Sequence, residues 1–205
     1  MKDEFKDVQD LSKKKPSRWY FSGLSKVNPK KLENAALNYL QRFSTSSEHL
    51  RRVLMRQVLR AAHRYDTDVE EASVWVDEVV AKMYERGFVN DQTFAEGRVH
   101  SLLARGVPLR GIRFQLHNKG VDEDIIDEVL CRAEDDLGDI NFAAAVSLAK
   151  RRRLGPFSRN SCGLKKREKD IGSLVRAGFD SDTIRRIMDA ETTEDIEVKK
   201  THKLE

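Results

Sequence analysis

The chain of 205 residues holds only four prolines and eleven glycines. That is too little punctuation for a sheet of many short strands, so long helices are expected. Its two cysteines, Cys131 and Cys162, stand alone. They make neither a CxxC pair nor a disulfide framework, which argues against a stapled mini-protein and fits a reducing cytoplasm. No apolar run reaches the roughly 18 residues of a membrane span, and the first residues lack the apolar middle of a secretory signal. Neither a P-loop nor a GxGxxG turn is present. His49, His63, His100, His117 and His202 show no HExxH or HxxxH spacing, so no metal or other cofactor is expected. Ser161-Cys162-Gly163 lies among basic residues, but no partner His for a thiol nucleophile stands near. The carboxylate pairs Asp122/Asp124 and Asp135/Asp136 read as helix caps and solvated faces. An enzyme is not expected.

Charge is abundant and unevenly spread. Nine basic residues face Glu168 alone between Lys150 and Lys169, and nine acids face Arg132 alone between Val121 and Asp139. Such blocks suit a charged partner; they also suit mutual neutralisation. Residues 1–30 combine scattered lysines with Pro16, Gly23 and Pro29, the pattern of a flexible basic arm. The closing Lys203-Leu204-Glu205 matches an expression-vector scar and is set aside.

From Pro29 the apolar residues fall at three- and four-residue steps. "PKKLENAALNYLQRF" carries Leu32, Ala36, Tyr39, Leu40 and Phe43, and the helix after it carries Leu50, Val53, Leu54, Val58 and Ala61. Nine such segments follow one another, with no convincing strand. A corner recurs between them in "ERGFVNDQTFAEG", "NKGVDEDIIDEVL" and "RAGFDSDTIRRIM". Gly87, Gly120 and Gly178 are expected to adopt left-handed C-caps, the following Phe88, Val121 and Phe179 to pack back on the finished helix, and Asp91 and Phe94 to open the next one. "HLRRVLMRQ" and "PLRGIRFQL" place Leu50 with Leu109 and Val53 with Ile112, 59 residues apart, while Gly120 and Gly178 lie 58 apart. These offsets predict three tandem three-helix repeats at 31–88, 89–137 and 138–192, followed by a tail at 193–205. Units this small bury their faces only by stacking.

Several basic residues share faces. Arg52, Arg56 and Arg60 form one stripe, and Arg110, Arg113 and His117 repeat the idea. Arg42, Arg51, Arg105 and Lys119 join them. Arg151, Arg152, Arg153, Lys165, Lys166 and Arg167 surround the corresponding helix of the third repeat. A series of basic faces suits a regular negative surface, either nucleic acid or an acidic filament groove; an ordinary solvated face is the competing reading of each stripe taken singly.

"ALNYLQRFSTSSEHLRRVL" resembles the opening helix pair of the RecX family, modulators of the RecA recombinase. "MYERGFVNDQTFAEGRV" resembles that family's Gly–aromatic–aliphatic–Asp/Asn–Asp turn, and "RGVPLRGIRFQLHNKGVDEDIIDEVL" is similar to its central block. Asn90 departs from the family by standing where an acid is common. The resemblance implies an all-α, elongated, curved array of three-helix repeats; a cytoplasmic location is expected from the isolated cysteines, and a monomer is expected. It implies binding in the groove of the RecA–single-stranded DNA filament, with inhibition of RecA's ATPase, strand exchange and coprotease function. Weak binding to single- or double-stranded DNA would accompany this. The alternative is a helical-repeat protein that binds nucleic acid independently of RecA.

Overall fold

The computed structural model describes residues 26–65, 67–158, 163–190 and 192–196. Most of the expected arm, Arg159, Cys162 and residues 197–205 lie outside them. Among the described residues run nine α-helices: α1 Pro29–Leu40, α2 Ser47–Ala62, α3 Val69–Glu85, α4 Asp91–Ala104, α5 Leu109–Asn118, α6 Glu123–Leu137, α7 Ile140–Arg152, α8 Leu164–Ala177 and α9 Ser181–Met188. A 3-10 turn at Gly155–Phe157 separates α7 from α8, and no strand occurs among these residues. The fold is all-α and built from three-helix repeats. The packing is sequential: α1–α3 pack chiefly on one another, as do α4–α6, while α7–α9 join the middle group through α7.

Local chemistry explains the boundaries. Short polar side chains that accept from the free first-turn N–H groups start most of these helices. Asn28 accepts from Lys31 N before α1, Ser46 from His49 N before α2, and Asn90 from Thr93 N before α4. Asp68, Asp122, Asp139 and Asp180 do the same before α3, α6, α7 and α9. The helix ends repeat as well. Gly87 N bonds Tyr84 O and Phe88 N bonds Met83 O, and the same crossed pair recurs at Gly120 and Gly178, with positive φ at all three glycines. This is the Schellman closure expected from the sequence.

Three corrections follow. Phe88 does not pack back on its helix; it is 53% exposed, whereas Val89 is buried. The cause is visible in the backbone: Val89 N also bonds Met83 O, so the chain turns one residue further before a side chain points inward. Val121 and Phe179 are buried as expected. Second, the three corners share a shape but not a place, because Gly87 links two units while Gly120 and Gly178 link the second and third helices within a unit. Third, the N-caps Ser46 and Pro108 are 62 residues apart, so Leu50 corresponds to Ile112 and Leu54 to Leu116, all fully buried. A slip of three residues is close to one helical turn and leaves the apolar stripe almost unchanged, which is why the 59-residue pairing looked equally good.

The three units bury two cores. One is confined to α1–α3 and the segments beside them, from Val27 to Val89. The other runs without a break from Ala95 to Ile196. Helix α7 makes this second core continuous. It buries Ile140, Phe142, Ala144, Ala145, Val146, Leu148 and Ala149, and it packs on α4, α5, α6 and α9. The segment expected as a tail begins with helical residues at 193–196. Thr192 and Asp195 cap each other's backbone there, and Ile196 is buried in the second core.

Candidate binding face and inter-unit joint

Two joints connect the three units, and they share a plan. At the first, the opening N–H of α2, Ser47 N, donates to Asp91 Oδ1 at the start of α4 (2.7 Å). At the second, the opening N–H of α5, Leu109 N, donates to Asn141 Oδ1 at the start of α7 (3.2 Å). In each case the next unit's second helix presents its C-terminal glycine to the same place. A Cβ on Gly120 would meet Glu48 and Arg52, the latter at 2.6 Å, and a Cβ on Gly178 would lie 3.6 Å from Pro108.

The first joint is polar. Ser46 Oγ donates to Lys119 O, Arg52 Nη1 donates to Asn118 O at 2.8 Å, and Lys119 Nζ donates to His49 Nε2 at 3.3 Å. Arg98, from α4, donates to Gln115 at 3.1 Å, while its Nε is shielded from solvent with no acceptor. Positive charge outnumbers acid here, with Arg52, Arg56, Arg98 and Lys119 against Glu48 and Asp91. Burial, then Lys119, Arg56 and Arg52, pushes the His49 imidazole down to about 4, so it is neutral near pH 7 and accepts from Lys119. Burial, then Arg98, Arg52 and Arg56, likewise lowers the Lys119 ammonium below the usual lysine range. Two carboxylates stand at this joint and both are engaged, Glu48 accepting from Arg52 Nε at 3.1 Å and Asp91 from Ser47 N at 2.7 Å.

The expected site residues divide into two groups. Some are tied within the fold: Arg51 to Asp77 at 2.6 Å, Arg113 to Glu123 at 2.8 Å and to Asp127, and Arg152 to Ser173 at 3.0 Å. Lys166 reaches Asp170 at 3.5 Å and Arg167 reaches Met188 O at 2.6 Å, while Arg52 and Lys119 belong to the first joint and Arg60 is also engaged. The second group keeps its side chains exposed, with no ion pair or hydrogen bond among the described residues: Arg42, Arg56, Arg105, Arg110, Arg151, Arg153 and Lys165. Arg153, at the end of α7, is the non-glycine residue with positive φ, 55°, among the described residues. Phe94 is half-buried against the second core. Beside Arg110, Phe114 is 66% exposed on α5, an aromatic on a basic face that the stripe reading passed over.

A family model for the second three-helix domain of RecX matches residues 90–130, which are α4, α5 and the first half of α6. Regulatory protein RecX of Myxococcus xanthus is 36% identical over 167 residues, covering 80% of this chain and 88% of the relative. The chain belongs to the RecX family. Regulatory protein RecX of Agrobacterium fabrum is 29% identical over 80% of this chain and 84% of its own length. The crystal structure of RecX from Lactobacillus salivarius shares the fold at a TM-score of 0.54 and 23% identity, covering 83% of this chain and 97% of that one. A second RecX crystal structure does so at 0.56 and 21%, covering 79% and 72%.

Against that RecX background, Arg98 and His49 are the residues sequence reasoning missed as a site. Arg98 sits between the buried Ala95 and Val99, and His49 was weighed only as a metal ligand. Among the described residues no group of three or more His, Cys, Asp or Glu is placed to hold a metal. No helix among them is long and apolar enough to cross a membrane, and Cys131 is exposed on α6.

Proposed function

We propose that this RecX-family chain is a non-enzymatic regulator that lies along the RecA–single-stranded DNA filament and restrains RecA's ATPase, strand exchange and coprotease activity, acting as a cytoplasmic monomer. The observation that carries the reading is the 36% identity to a regulatory protein RecX over most of both chains. The exposed cations support it. Arg42 and Arg56 belong to the first unit, Arg105 and Arg110 to the second, Arg151 and Lys165 to the third, and none has a partner within the described fold. A sequential array carrying free guanidinium groups on every unit can meet a repeating negative surface at several points at once, and multivalent engagement multiplies modest affinities. Charge steering also speeds encounter with a long anionic polymer.

The test is RecA's DNA-dependent ATPase with the chain added. Inhibition at substoichiometric amounts, with weak and salt-sensitive binding to bare DNA, is expected; tight DNA binding with no effect on RecA would instead establish the nucleic-acid reading. Arg56→Glu combined with Arg110→Glu should weaken inhibition by about tenfold or more while circular dichroism stays unchanged, since charge-assisted contacts are each worth roughly 1.5–3 kcal/mol. Arg52 is a poor choice for that experiment because its guanidinium bridges two units.

A further inference from the structure

We propose that the joint between the first and second units is a phosphate-binding site, in which Arg52, Arg56, Arg98 and Lys119 hold one phosphate group beside His49. The site is a property of the isolated chain and is independent of the partner proposed above.

The cations arrive from three directions: Arg52 and Arg56 from α2, Arg98 from α4 and Lys119 from the end of α5. Arg52 Nη1 donates to Asn118 O at 2.8 Å beside Lys119, Arg98 donates at 3.1 Å to Gln115, one turn before Lys119 on α5, and Arg56 lies one turn after Arg52 on α2. Donors that converge from separate helices suit a tetrahedral oxyanion, whose oxygens point apart, better than a planar carboxylate, which takes a single fork. Hydrogen-bonding capacity is left over for such a ligand. Arg98 Nε is a buried donor without an acceptor, an arrangement that costs free energy unless something accepts from it. Arg56 is exposed and unpaired among the described residues.

The second joint shows that the shared plan does not require these charges. Counting from the N-caps, His49 corresponds to Gly111, Arg52 to Phe114, Arg56 to Asn118 and Arg98 to Ser147, and matching the closing glycines Gly120 and Gly178 pairs Lys119 with Ala177. All five counterparts are neutral. The same junction is built there from apolar packing and the Leu109–Asn141 hydrogen bond, with no cation at these positions, so the cations at the first joint are an addition to the architecture. Their crowding is unfavourable in isolation, since like charges at short range repel, and a doubly negative phosphate reverses the sign of that interaction. Phosphate held here spans residues of both units and fixes the angle between them.

The full-length chain at pH 7.5 is titrated with potassium phosphate against potassium chloride of equal ionic strength, following thermal unfolding and the His49 ring signals by NMR. Phosphate at ten times its Kd should raise the unfolding midpoint by about 3–5 °C, and the His49 signals should shift along the same saturation curve. Arg98→Gln and Arg56→Gln should each weaken the apparent affinity about tenfold. The Arg56 change leaves the fold alone, so a failure of the Arg98 variant to fold does not blunt the test. A short oligodeoxynucleotide, with and without a 5′-phosphate, identifies the source. Competition by both forms assigns the site to the nucleic-acid backbone, and competition by the phosphorylated form alone assigns it to phosphomonoesters. Equal unfolding curves in phosphate and chloride, or a phosphate effect that survives Arg56→Gln, would overturn the proposal.

Discussion

The two joints solve one problem with opposite chemistry. The second is chiefly apolar: beside the Leu109–Asn141 hydrogen bond, Gly106 sits so close to α7 that a Cβ there would lie 2.6 Å from Leu148 N, and the cores of the second and third units merge. The first is polar, a set of hydrogen bonds and cations between two cores that remain separate. Apolar burial at about 25 cal/mol per Å² is insensitive to salt and pH. Bonds between exposed charged groups are weak, screened and conditional. The comparison therefore predicts a molecule with one permanent junction and one adjustable junction.

The largest effect should come from Gly106→Val. The residue has φ 69° and no room for a side chain, and a β-branched residue is strained there in any case. A loss of about 3 kcal/mol or more is expected. Hydrogen exchange should show α4–α9 losing protection together while α1–α3 keep theirs. Loss of protection in α1–α3 as well would contradict the separation of the cores. At the polar joint, Gly120→Ala adds a smaller side chain than the valine at Gly106, but its Cβ would overlap Glu48 Cγ and lie 2.5 Å from Glu48 Cβ, so the Glu48 side chain and the start of α2 must give way. About 1–2 kcal/mol is expected from the left-handed backbone at φ 72°. Helicity should be retained while the NMR cross-peaks between His49 and Lys119 disappear.

Much of this was legible in the sequence, and the gaps have physical causes. Helix number, helix ends and the glycine corners follow from local rules, since a cap such as Asp122 or a Schellman glycine such as Gly120 needs only its own neighbours. The apolar stripes of α2 and α5 were legible too, though their register slipped by a turn. What escaped was whatever depends on two distant segments meeting. Nothing in "NFAAAVSLA" says that α7 is buried against four other helices, and nothing in "AEGRVHSL" says that Arg98 will donate to Gln115 on the next helix. Arg113 read as part of a basic face because its acids, Glu123 and Asp127, lie on another helix. Conversely, Arg56 and Arg110 were placed on basic faces available to a partner, and both side chains are exposed.

Two smaller tests sharpen the contrast. His49 has a folded pKa of about 4 against 6.5 for the free side chain. As pH falls below about 6.5 the unfolded chain takes up a proton that the folded chain refuses. Stability is therefore full above that pH, declines through the interval down to about 4, and loses nothing further from this group below it. The half-open ring limits the effect to about 1 kcal/mol. Urea unfolding between pH 7 and 4.5 should reveal it, and His49→Gln should remove it. The smallest change is a gain. Arg153 holds φ 55° at the close of α7, a conformation glycine adopts without strain, so Arg153→Gly should stabilise by about 0.5–1 kcal/mol. An equal or lower urea midpoint would show that the arginine side chain contributes packing there.

The continuity of the second core also bears on how the chain is made. A ribosome releases the protein from its N-terminus at roughly 5–20 residues per second. Every residue of the first core has been synthesised once Val89 is in place, so that bundle can close early and alone. The second core lacks a member until Ile196 has been added. The apolar faces of α4 to α6 therefore wait, open to chaperones and to one another, until Ile196 has been translated.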